Sequence, residues 1–243
     1  MVGGGAALFW PVRGKNCPFG VSLHDKSCLS DKKVNPTPAF LTLCGLDEAG
    51  RGPLAGPLIA AAVVFPADFR WEAVNALPLR DSKRLSARQR EQIFPYIHDF
   101  ALTVDTEIID VADIDRAGIG WANRTAFESL ILRLEADRYI VDGNLKLHDL
   151  GWKASRYESV VRADQRYVAV SAASVVAKVT RDRIMAAWHE KYPMYGWDHN
   201  KGYGTAAHIA ALRQYGPSPF HRRAFVTTAL LEDPPRLPGI DEE

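Results

Sequence analysis

Apolar and polar positions follow two kinds of pattern along the middle of the chain, and the first of them predicts strands. Residues 41–48 and 56–65 are apolar runs typical of buried strands, joined by the Gly- and Pro-rich segment AGRGPLA. Residues 101–109 contain the alternating stretch TVDTEII, which predicts a half-buried strand. Shorter strands are predicted at 138–141 and 157–161.

The second pattern has a helical period. Ser86 is a typical N-cap residue and predicts a helix that ends near His98. Residues 174–192 and 205–215 are also predicted to be helical. Residues 121–136 predict an amphipathic helix, whose apolar face consists of Phe127, Leu130, Ile131 and Leu134. Because strands come first and then alternate with helices, the pattern predicts an α/β or mixed sheet covered by helices.

The two ends of the chain show no sustained period. Residues 1–40 are rich in Gly, Pro, Lys and Ser and predict a flexible N-terminal extension. The acidic and Pro-rich residues 233–243 predict a disordered tail. Residues 41–232 would then form the folded domain, which is long enough for one hydrophobic core.

Neither the N-terminus nor the apolar segments suggest a membrane protein. No run of about 18 uncharged apolar residues occurs, so no membrane span is expected. The start, MVGGGAALFWPVRGKNC, has no basic segment before its apolar piece and resembles neither a signal peptide nor an anchor. Cys17, Cys28 and Cys44 are odd in number and lack metal-site spacing, which indicates a reducing, cytoplasmic location.

The net charge of +1 conceals an uneven distribution of charge. Residues 98–149 carry 11 acidic and 5 basic side chains, whereas residues 151–223 carry 12 basic and 5 acidic ones. A basic half within a nearly neutral chain favours a polyanionic partner such as nucleic acid. A solvated basic surface without a partner is the alternative.

Four acidic residues stand where strands end or turn. Asp47 and Glu48 close the first apolar run, Asp142 follows the strand in YIVDGN, and Asp164 is the last residue of YESVVRAD. Ligand sites in open α/β sheets lie beyond the strand ends, so these four carboxylates are predicted to converge. Clustered carboxylates repel unless a cation neutralises them, and hard cations such as Mg²⁺ or Mn²⁺ prefer oxygen ligands. Two such ions can promote phosphodiester hydrolysis.

Each acid also has a simpler explanation. Asp142 before Gly143 is a common turn former, and Asp164 is explained equally well as a surface acid paired with Arg162 or Arg166. The spacing alone does not decide between these alternatives.

Several segments near these acids suit contact with a nucleic acid. The backbone of GRG at 50–52 can be approached closely by a sugar or phosphate, although a tight turn is the alternative. Lys83 and Arg84 precede a predicted helix N-terminus, where an anion is favoured, or are simply solvated. Tyr203 lies between glycines on a loop, where its ring could stack on a sugar or base or simply anchor the surface.

The predicted helix around SAASVVAKVTRDR combines small residues with basic ones. The small residues predict close packing on the sheet, and Lys178, Arg181 and Arg183 are predicted to lie near the polyanion. A buried helix with a solvated basic end is the alternative.

These segments together resemble the ribonuclease HII family, the bacterial type-2 ribonucleases H. The resemblance covers residues 41–232, and the motifs occur in the family's order: GLDEAGRGPLAGP, DSKRLS, YIVDGN, VVRAD, SAASVVAKVTRD and HNKGYGT. It implies a ribonuclease H-like α/β fold, with a five-stranded mixed sheet flanked by helices and a helical C-terminal part over the substrate.

The resemblance also implies an activity. The expected enzyme is a metal-dependent endoribonuclease that hydrolyses RNA in RNA–DNA hybrids and cuts 5′ to a single ribonucleotide embedded in duplex DNA. The products would carry 3′-hydroxyl and 5′-phosphate ends, and two Mg²⁺ or Mn²⁺ ions would take part. A monomer is expected. No aromatic-rich terminal peptide of the kind that docks to a sliding clamp is visible, and docking to a clamp through an internal segment is left open.

The family's functional positions can be carried over residue by residue. Its four metal-binding carboxylates match Asp47, Glu48, Asp142 and Asp164. Its substrate-binding positions match Gly50, Arg51 and Gly52, which would sense the 2′-hydroxyl, Tyr203, which would pack on the sugar, and Lys83 and Lys178, which would contact phosphates. Relatives often have Gly where this chain has Ala163, which matters only if that backbone needs a positive φ.

Three other identities remain open at this point. Ribonuclease HIII usually reads DESGKGD at the first motif and carries an N-terminal substrate-binding domain, for which 40 leading residues are too few. Another two-metal nuclease on the same fold would cut plain DNA as readily. A catalytically silent hybrid-binding protein would gain affinity by losing acids near phosphates, so the intact acids argue against it.

Overall fold

The computed structural model of the chain describes residues 41–74, 79 and 85–232. The predicted N-terminal extension, Lys83, Arg84 and the predicted tail at 233–243 lie outside the described residues. The domain boundaries drawn from the sequence therefore stay predictions.

The described residues form a five-stranded mixed sheet, as the resemblance implied. The strands follow the spatial order β3-β2-β1-β4-β5. The pairs β1–β2 and β2–β3 are antiparallel, whereas β1–β4 and β4–β5 are parallel. The strands are β1 Thr42–Ala49, β2 Leu58–Pro66, β3 Thr103–Ile109, β4 Arg138–Asp142 and β5 Tyr157–Val160.

All five strands predicted from the apolar pattern are therefore confirmed, with ends that differ by one or two residues. Asp142 is the last residue of β4 rather than the first residue beyond it. The interior strand β2 is buried on both faces, which explains its unbroken apolar run.

The two faces of β2 belong to two separate hydrophobic clusters. Alternate side chains from Leu58 to Val64 pack with helix residues such as Phe127 and Leu130. The others, from Ile59 to Phe65, pack with the alanines and valines of the long helix on the opposite face. This period of two is what a strand requires to bury both faces.

Seven α-helices surround the sheet in the described part of the chain. Ser86 caps the first one through a capping box with Gln89, as the sequence predicted. The predicted helix at 121–136 begins two residues earlier and ends at Arg133, with Leu134 as its C-cap. The helices are α1 Ala87–Phe100, α2 Val111–Ala117, α3 Ile119–Arg133, α4 Val168–Lys191, α5 Trp197–Asn200, α6 Ala206–Tyr215 and α7 Arg223–Glu232.

The long helix α4 begins six residues before the predicted start at 174. Its first turns cross the sheet very close to β1, because Gly45 has no side chain to hold them apart. A Cβ at Gly45 would lie 2.2 Å from the backbone of Ala169 and Val170. The small residues predicted to pack tightly on the sheet do so, and Ala172, Ala173 and Ala177 are fully buried.

A third cluster joins the C-terminal helices to the loop after β1. Leu54 and Ala55 pack there with Met185, Trp197 and other residues of the C-terminal part. This helical part therefore covers the end of the sheet at which β1 terminates. None of the helices described in the structure is both long and apolar enough to cross a membrane.

Candidate active site

The carboxylates of two neighbouring strands meet at one end of the sheet. Strands β1 and β4 are parallel, and Leu46 pairs with Val141 in their register. Asp47 and Asp142 each follow one of these paired residues, so the register brings them side by side. Glu48 is the next residue of β1, so three acidic side chains lie together at this end of the sheet.

Asp47 is almost completely buried, with 4% of its surface exposed. Burial raises the pKa of its carboxyl group, and the nearby Lys178 opposes that rise. The Nζ atom of Lys178 lies 3.7 Å from Oδ2 of Asp47 and also contacts Oγ of Ser174. Asp47 thus lies in an environment that disfavours the charged form of its carboxyl group.

The environment of Glu48 also disfavours the charged form of its carboxyl group. Burial raises the pKa of its carboxyl group to about 7, and the charge of Asp47 adds to the effect. Arg51 opposes the rise through its Nη1 atom, which lies 3.4 Å from Oε1 of Glu48. The site therefore holds more negative charge than its own cations balance.

Asp164 lies in a 3₁₀ turn, Ala163–Gln165, that follows β5. Its side chain is 1% exposed. The backbone N–H of Ala163 donates to Oδ1 of Asp142 at 2.7 Å, which ties this turn to the end of β4. Positive φ occurs at Arg162 (57°) and not at Ala163, so alanine is compatible with the backbone at that position.

The acids have the chemistry of a site for a hard cation. All their donor atoms are carboxylate oxygens, and Oδ2 of Asp47 and Oε2 of Glu48 are buried without a hydrogen-bond partner among the described residues. Within residues 41–74, 79 and 85–232, however, no three His, Cys, Asp or Glu side chains form a ready metal-binding group. The assignment of the four carboxylates as metal ligands stays a prediction.

A cleft of about 650 Å³ opens at these strand ends. Asp164 does not line it, because its side chain is buried behind the end of β4. The predicted site residues that line the cleft are Asp47, Glu48, Gly50, Arg51, Gly52, Asp142, Lys178 and Tyr203.

The Gly-Arg-Gly segment and Tyr203 form one wall of the cleft. Tyr203 is half exposed, and its ring is the nearest described neighbour of Gly52, with Cε1 3.9 Å from the position of a Cβ there. Tyr203 stands in a turn that is fixed from behind, since the carbonyl of Gly202 accepts from the N–H of Leu54 at 2.8 Å. The two segments were predicted separately, and the fold brings them together.

The three basic residues predicted to lie near a polyanion have different surroundings. Lys178 lines the cleft beside Asp47. Arg183 is exposed and pairs with Glu91 of α1 at 2.6 Å. Arg181 also lines the cleft, but it is 2% exposed and donates to backbone carbonyls, so its prediction as a residue near the polyanion stays a prediction.

Some residues that shape the cleft were not identified from the sequence. Arg90 of α1 lines it and donates to the carbonyl of Leu85 at 2.7 Å. Arg222 and His208 support its wall from beneath. Arg222 stands in an ordinary basic pair and His208 in an ordinary amphipathic helix, so no local pattern marked them.

A search for related proteins places this architecture in a known class. The family model described as Ribonuclease HII matches residues 44–228. The Ribonuclease HII of Acholeplasma laidlawii is 39% identical over 217 residues, covering 89% of this chain and 96% of that protein. The one of Acetivibrio thermocellus is 42% identical over 200 residues, covering 82% of this chain and 74% of that protein.

Solved structures agree with the sequence comparison. The ribonuclease H2 of Pyrococcus horikoshii has a TM-score of 0.66 at 26% identity, covering 79% of this chain and 98% of that one. The ribonuclease HII of Archaeoglobus fulgidus, solved as a complex with PCNA, has a TM-score of 0.64 at 25% identity, covering 75% and 94%. A ribonuclease HIII solved with Mn²⁺ is 20% identical and supports the fold alone, with a TM-score of 0.61.

The fold and the matches define a hydrolase of the ribonuclease H class, a nuclease whose activity is directed at RNA–DNA hybrids. Enzymes of this class depend on a divalent metal ion. The chain belongs to the ribonuclease HII family, which confirms the resemblance drawn from its motifs.

Proposed function

We propose that this enzyme cuts duplex DNA on the 5′ side of a single embedded ribonucleotide, besides hydrolysing longer RNA–DNA hybrids, and leaves 3′-hydroxyl and 5′-phosphate ends. The observation that carries the proposal is the shared cleft. It places the acids at the ends of β1 and β4 against the wall formed by residues 50–52 and Tyr203. A hydrolytic centre thus adjoins a surface that can test one sugar.

The acids would hold the cofactor. Asp47, Glu48, Asp142 and Asp164 are the proposed ligands of two divalent ions, Mg²⁺ or Mn²⁺. Such ions supply a water-derived nucleophile and stabilise a leaving oxygen, so no Ser or Cys nucleophile is required. Their positive charge would also relieve the cost of burying Asp47 and Glu48, which is the physical support for this assignment.

The wall would supply the specificity. A 2′-hydroxyl is the group that distinguishes a ribonucleotide from a deoxyribonucleotide at one position. Backbone N–H groups of Gly50, Arg51 and Gly52 are the proposed partners of that hydroxyl, and Tyr203 is proposed to pack on the sugar. Lys178, and Lys83 outside the described residues, are proposed to contact phosphates.

The test is cleavage of a labelled DNA duplex that holds one ribonucleotide, in Mg²⁺, Mn²⁺ or EDTA. An all-DNA duplex and the Asp142→Asn variant serve as controls. We expect a metal-dependent cut 5′ to the ribonucleotide that is absent in both controls. Cutting only within a long hybrid would contradict the activity on single ribonucleotides. Equal cutting of plain DNA would contradict the proposal that the enzyme distinguishes a ribonucleotide from a deoxyribonucleotide.

A sliding clamp is a partner to test, because the Archaeoglobus fulgidus relative was solved as a complex with PCNA. The measurement is co-elution of the full chain with a purified clamp protein in gel filtration. Separate elution at micromolar concentration would remove the clamp from the proposal.

A further inference from the structure

Two buried guanidinium groups support the wall of the cleft, and one of them, Arg181, also lines the cleft. Arg181 of α4 is 2% exposed, and Arg222, just before α7, is fully buried. Every hydrogen bond that they donate within the described residues goes to a backbone carbonyl oxygen. Charged side chains are rarely buried completely unless their donors are satisfied, and here backbone carbonyl oxygens satisfy them.

Arg222 grips the segment 50–57, which we name the reading loop. Its Nη2 donates to the carbonyl of Gly50 at 2.6 Å, and its Nη1 to the carbonyl of Arg51 at 3.1 Å. Its Nε and Nη2 both donate to the carbonyl of Gly56, at 2.9 and 2.7 Å. One planar side chain thus fixes both ends of the reading loop.

Arg181 joins the reading loop to the segment 201–204, which we name the tyrosine turn. Its Nη2 and Nε donate to the carbonyls of Ala55 and Pro57, at 2.9 and 3.1 Å. Its Nη1 donates to the carbonyl of Lys201 at 2.9 Å, two residues before Tyr203. The fork of an arginine suits this arrangement, since it presents several donors in one rigid plane.

The peptide geometry converts this grip into an orientation of donors. In a trans peptide the C=O and the following N–H point in opposite directions. When the carbonyls of Gly50 and Arg51 are drawn towards Arg222, the N–H groups of Arg51 and Gly52 are turned away from it. Arg222 is buried and residues 50–52 line the cleft, so the cleft is on the other side.

We propose that Arg222 and Arg181 are positioning residues that aim the backbone donors of the reading loop, and the tyrosine turn beside them, at the ribose 2′-hydroxyl. This inference rests on the proposed function of the cleft. It assigns part of the sugar specificity to two buried side chains whose described hydrogen bonds all go to the protein backbone.

The test compares Arg222→Lys and Arg181→Lys with the control Lys153→Met. Lys153 is also buried and donates to the carbonyls of Ile131 and Leu134 at the end of α3, away from the cleft. Lysine keeps an amine donor that can still bond to backbone carbonyls but loses the fork, so the two variants are expected to fold. Melting curves identify the temperature range in which all the proteins are folded.

The first readout is amide hydrogen exchange in the free protein. In both Arg→Lys variants we expect faster exchange in the reading loop and the tyrosine turn, by about tenfold or more, corresponding to one lost hydrogen bond. Lys153→Met should leave exchange in these segments unchanged. Unchanged exchange in the two arginine variants would overturn the proposal, whatever the activity of the enzyme.

The second readout is the ratio of kcat/KM for duplexes with one ribonucleotide to that for duplexes with one 2′-fluoro-2′-deoxynucleotide at the same position. We expect the arginine variants to lower this ratio about tenfold, because fluorine is a poor acceptor and profits little from aimed donors. An equal fall in kcat/KM for both duplexes would show that Arg181 and Arg222 have a purely structural role and do not aim the donors at the sugar. If the wild type cuts neither duplex, the proposed function fails, and hydrogen exchange alone decides the role of the pair.

Discussion

Gly50 and Gly52 belong to one short motif, yet different neighbours require each of them to be glycine. Gly50 has φ +93°, and a Cβ there would lie 2.3 Å from Nε of Arg181 and 2.6 Å from the carbonyl of Pro57. Gly52 has ordinary φ, and among the described residues a Cβ would meet only Tyr203, at 3.9 Å. The fold therefore explains Gly50, whereas Gly52 would be explained by the close approach of the proposed substrate.

This difference predicts the behaviour of Gly52→Ala. The variant should melt within about 2 °C of the wild type, since nothing crowds the new methyl group. Its kcat/KM on a duplex with one ribonucleotide should fall about 100-fold, because the methyl displaces the sugar from the reactive geometry. Gly50→Ala is the matched comparison and should lower the melting temperature. Full activity of Gly52→Ala would show that the substrate does not approach this backbone.

The raised pKa of Asp47 leads to a second prediction. A carboxyl group whose environment favours the neutral form should be replaced by an amide without loss of stability. We expect Asp47→Asn to unfold at the same or a higher urea concentration in EDTA, while its metal-dependent cleavage falls by more than about 100-fold. Asp68→Asn, an exposed acid in a turn, serves as the control and should change neither property. A strongly destabilised Asp47→Asn would mean that the carboxylate is structural.

At the scale of elements, the sequence predicted the strands and helices that have a clear local periodicity. It did not predict features that depend on contacts between residues distant in the chain or on very short elements. The five strands and the Ser86 capping box were predictable because alternation and capping are local signals. The seven-residue α2 was missed because two helical turns carry little periodicity. The first turn and a half of α4 was missed because its start is set by packing on β1.

The same distinction applies to the site. The acids and the glycine motif were visible because each stands at a strand end or in a turn. Arg222 and the burial of Arg181 were not visible, since a buried cation can be identified only from the carbonyls that surround it. Except for the carbonyl of Lys201, those carbonyls lie more than a hundred residues away in the chain, as the separation of 172 between Arg222 and Gly50 illustrates.

The crossing of α4 over β1 makes Gly45 a critical position. A methyl group there would meet backbone atoms, which cannot rotate away as a side chain can. We expect Gly45→Ala to lower the free energy of unfolding by about 3 kcal/mol, at the upper end of typical overpacking costs. The measurement is urea unfolding followed by circular dichroism.

Gly120→Ala is the control for that measurement. Gly120 lies in the first turn of α3, and nothing lies within 4 Å of a Cβ there among the described residues. Alanine should therefore stabilise the protein by up to about 1 kcal/mol. Equal effects of the two substitutions would contradict the close crossing of α4 and β1.

At the scale of the whole molecule, a buried network links the C-terminal helices to the cleft. His208 bonds through Nδ1 to the carbonyl of Tyr203 at 2.9 Å, so Nδ1 carries the proton and Nε2 is an acceptor. The N–H of Trp197 and Nε2 of His221 both face that acceptor, at 3.3 and 3.0 Å. His221 accepts from the N–H of Ser218 at Nδ1, so its own proton is on Nε2. Both imidazoles are neutral in this network.

The network predicts a dependence of stability on pH. Burial lowers the pKa of His221 to about 4, and the adjacent His208 contributes to the shift. An unfolded histidine titrates near 6.5, so between these values the unfolded chain binds more protons than the folded one. The stability contributed by neutral His221 is complete above about pH 6.5 and is lost as pH falls towards 4.

The measurement compares wild type with His221→Asn, in which the amide oxygen can replace Nδ1 as the acceptor. The difference in unfolding free energy between the two proteins isolates this histidine from the other titrating groups. It should rise by about 3 kcal/mol from pH 4 to pH 6.5 in favour of the wild type. A difference that is flat over this range would contradict the buried neutral pair.

The grip of Arg222 on Gly50 also has a consequence for the order in which the protein is made. The arginine follows the glycine by 172 residues. At typical rates of protein synthesis, the ribosome needs on the order of 10 to 30 seconds to translate that distance. During this time strands β1 and β2 can already emerge, but their loop has no guanidinium to bind. The reading loop therefore acquires its contacts with Arg222 only after nearly the whole folded domain has been translated.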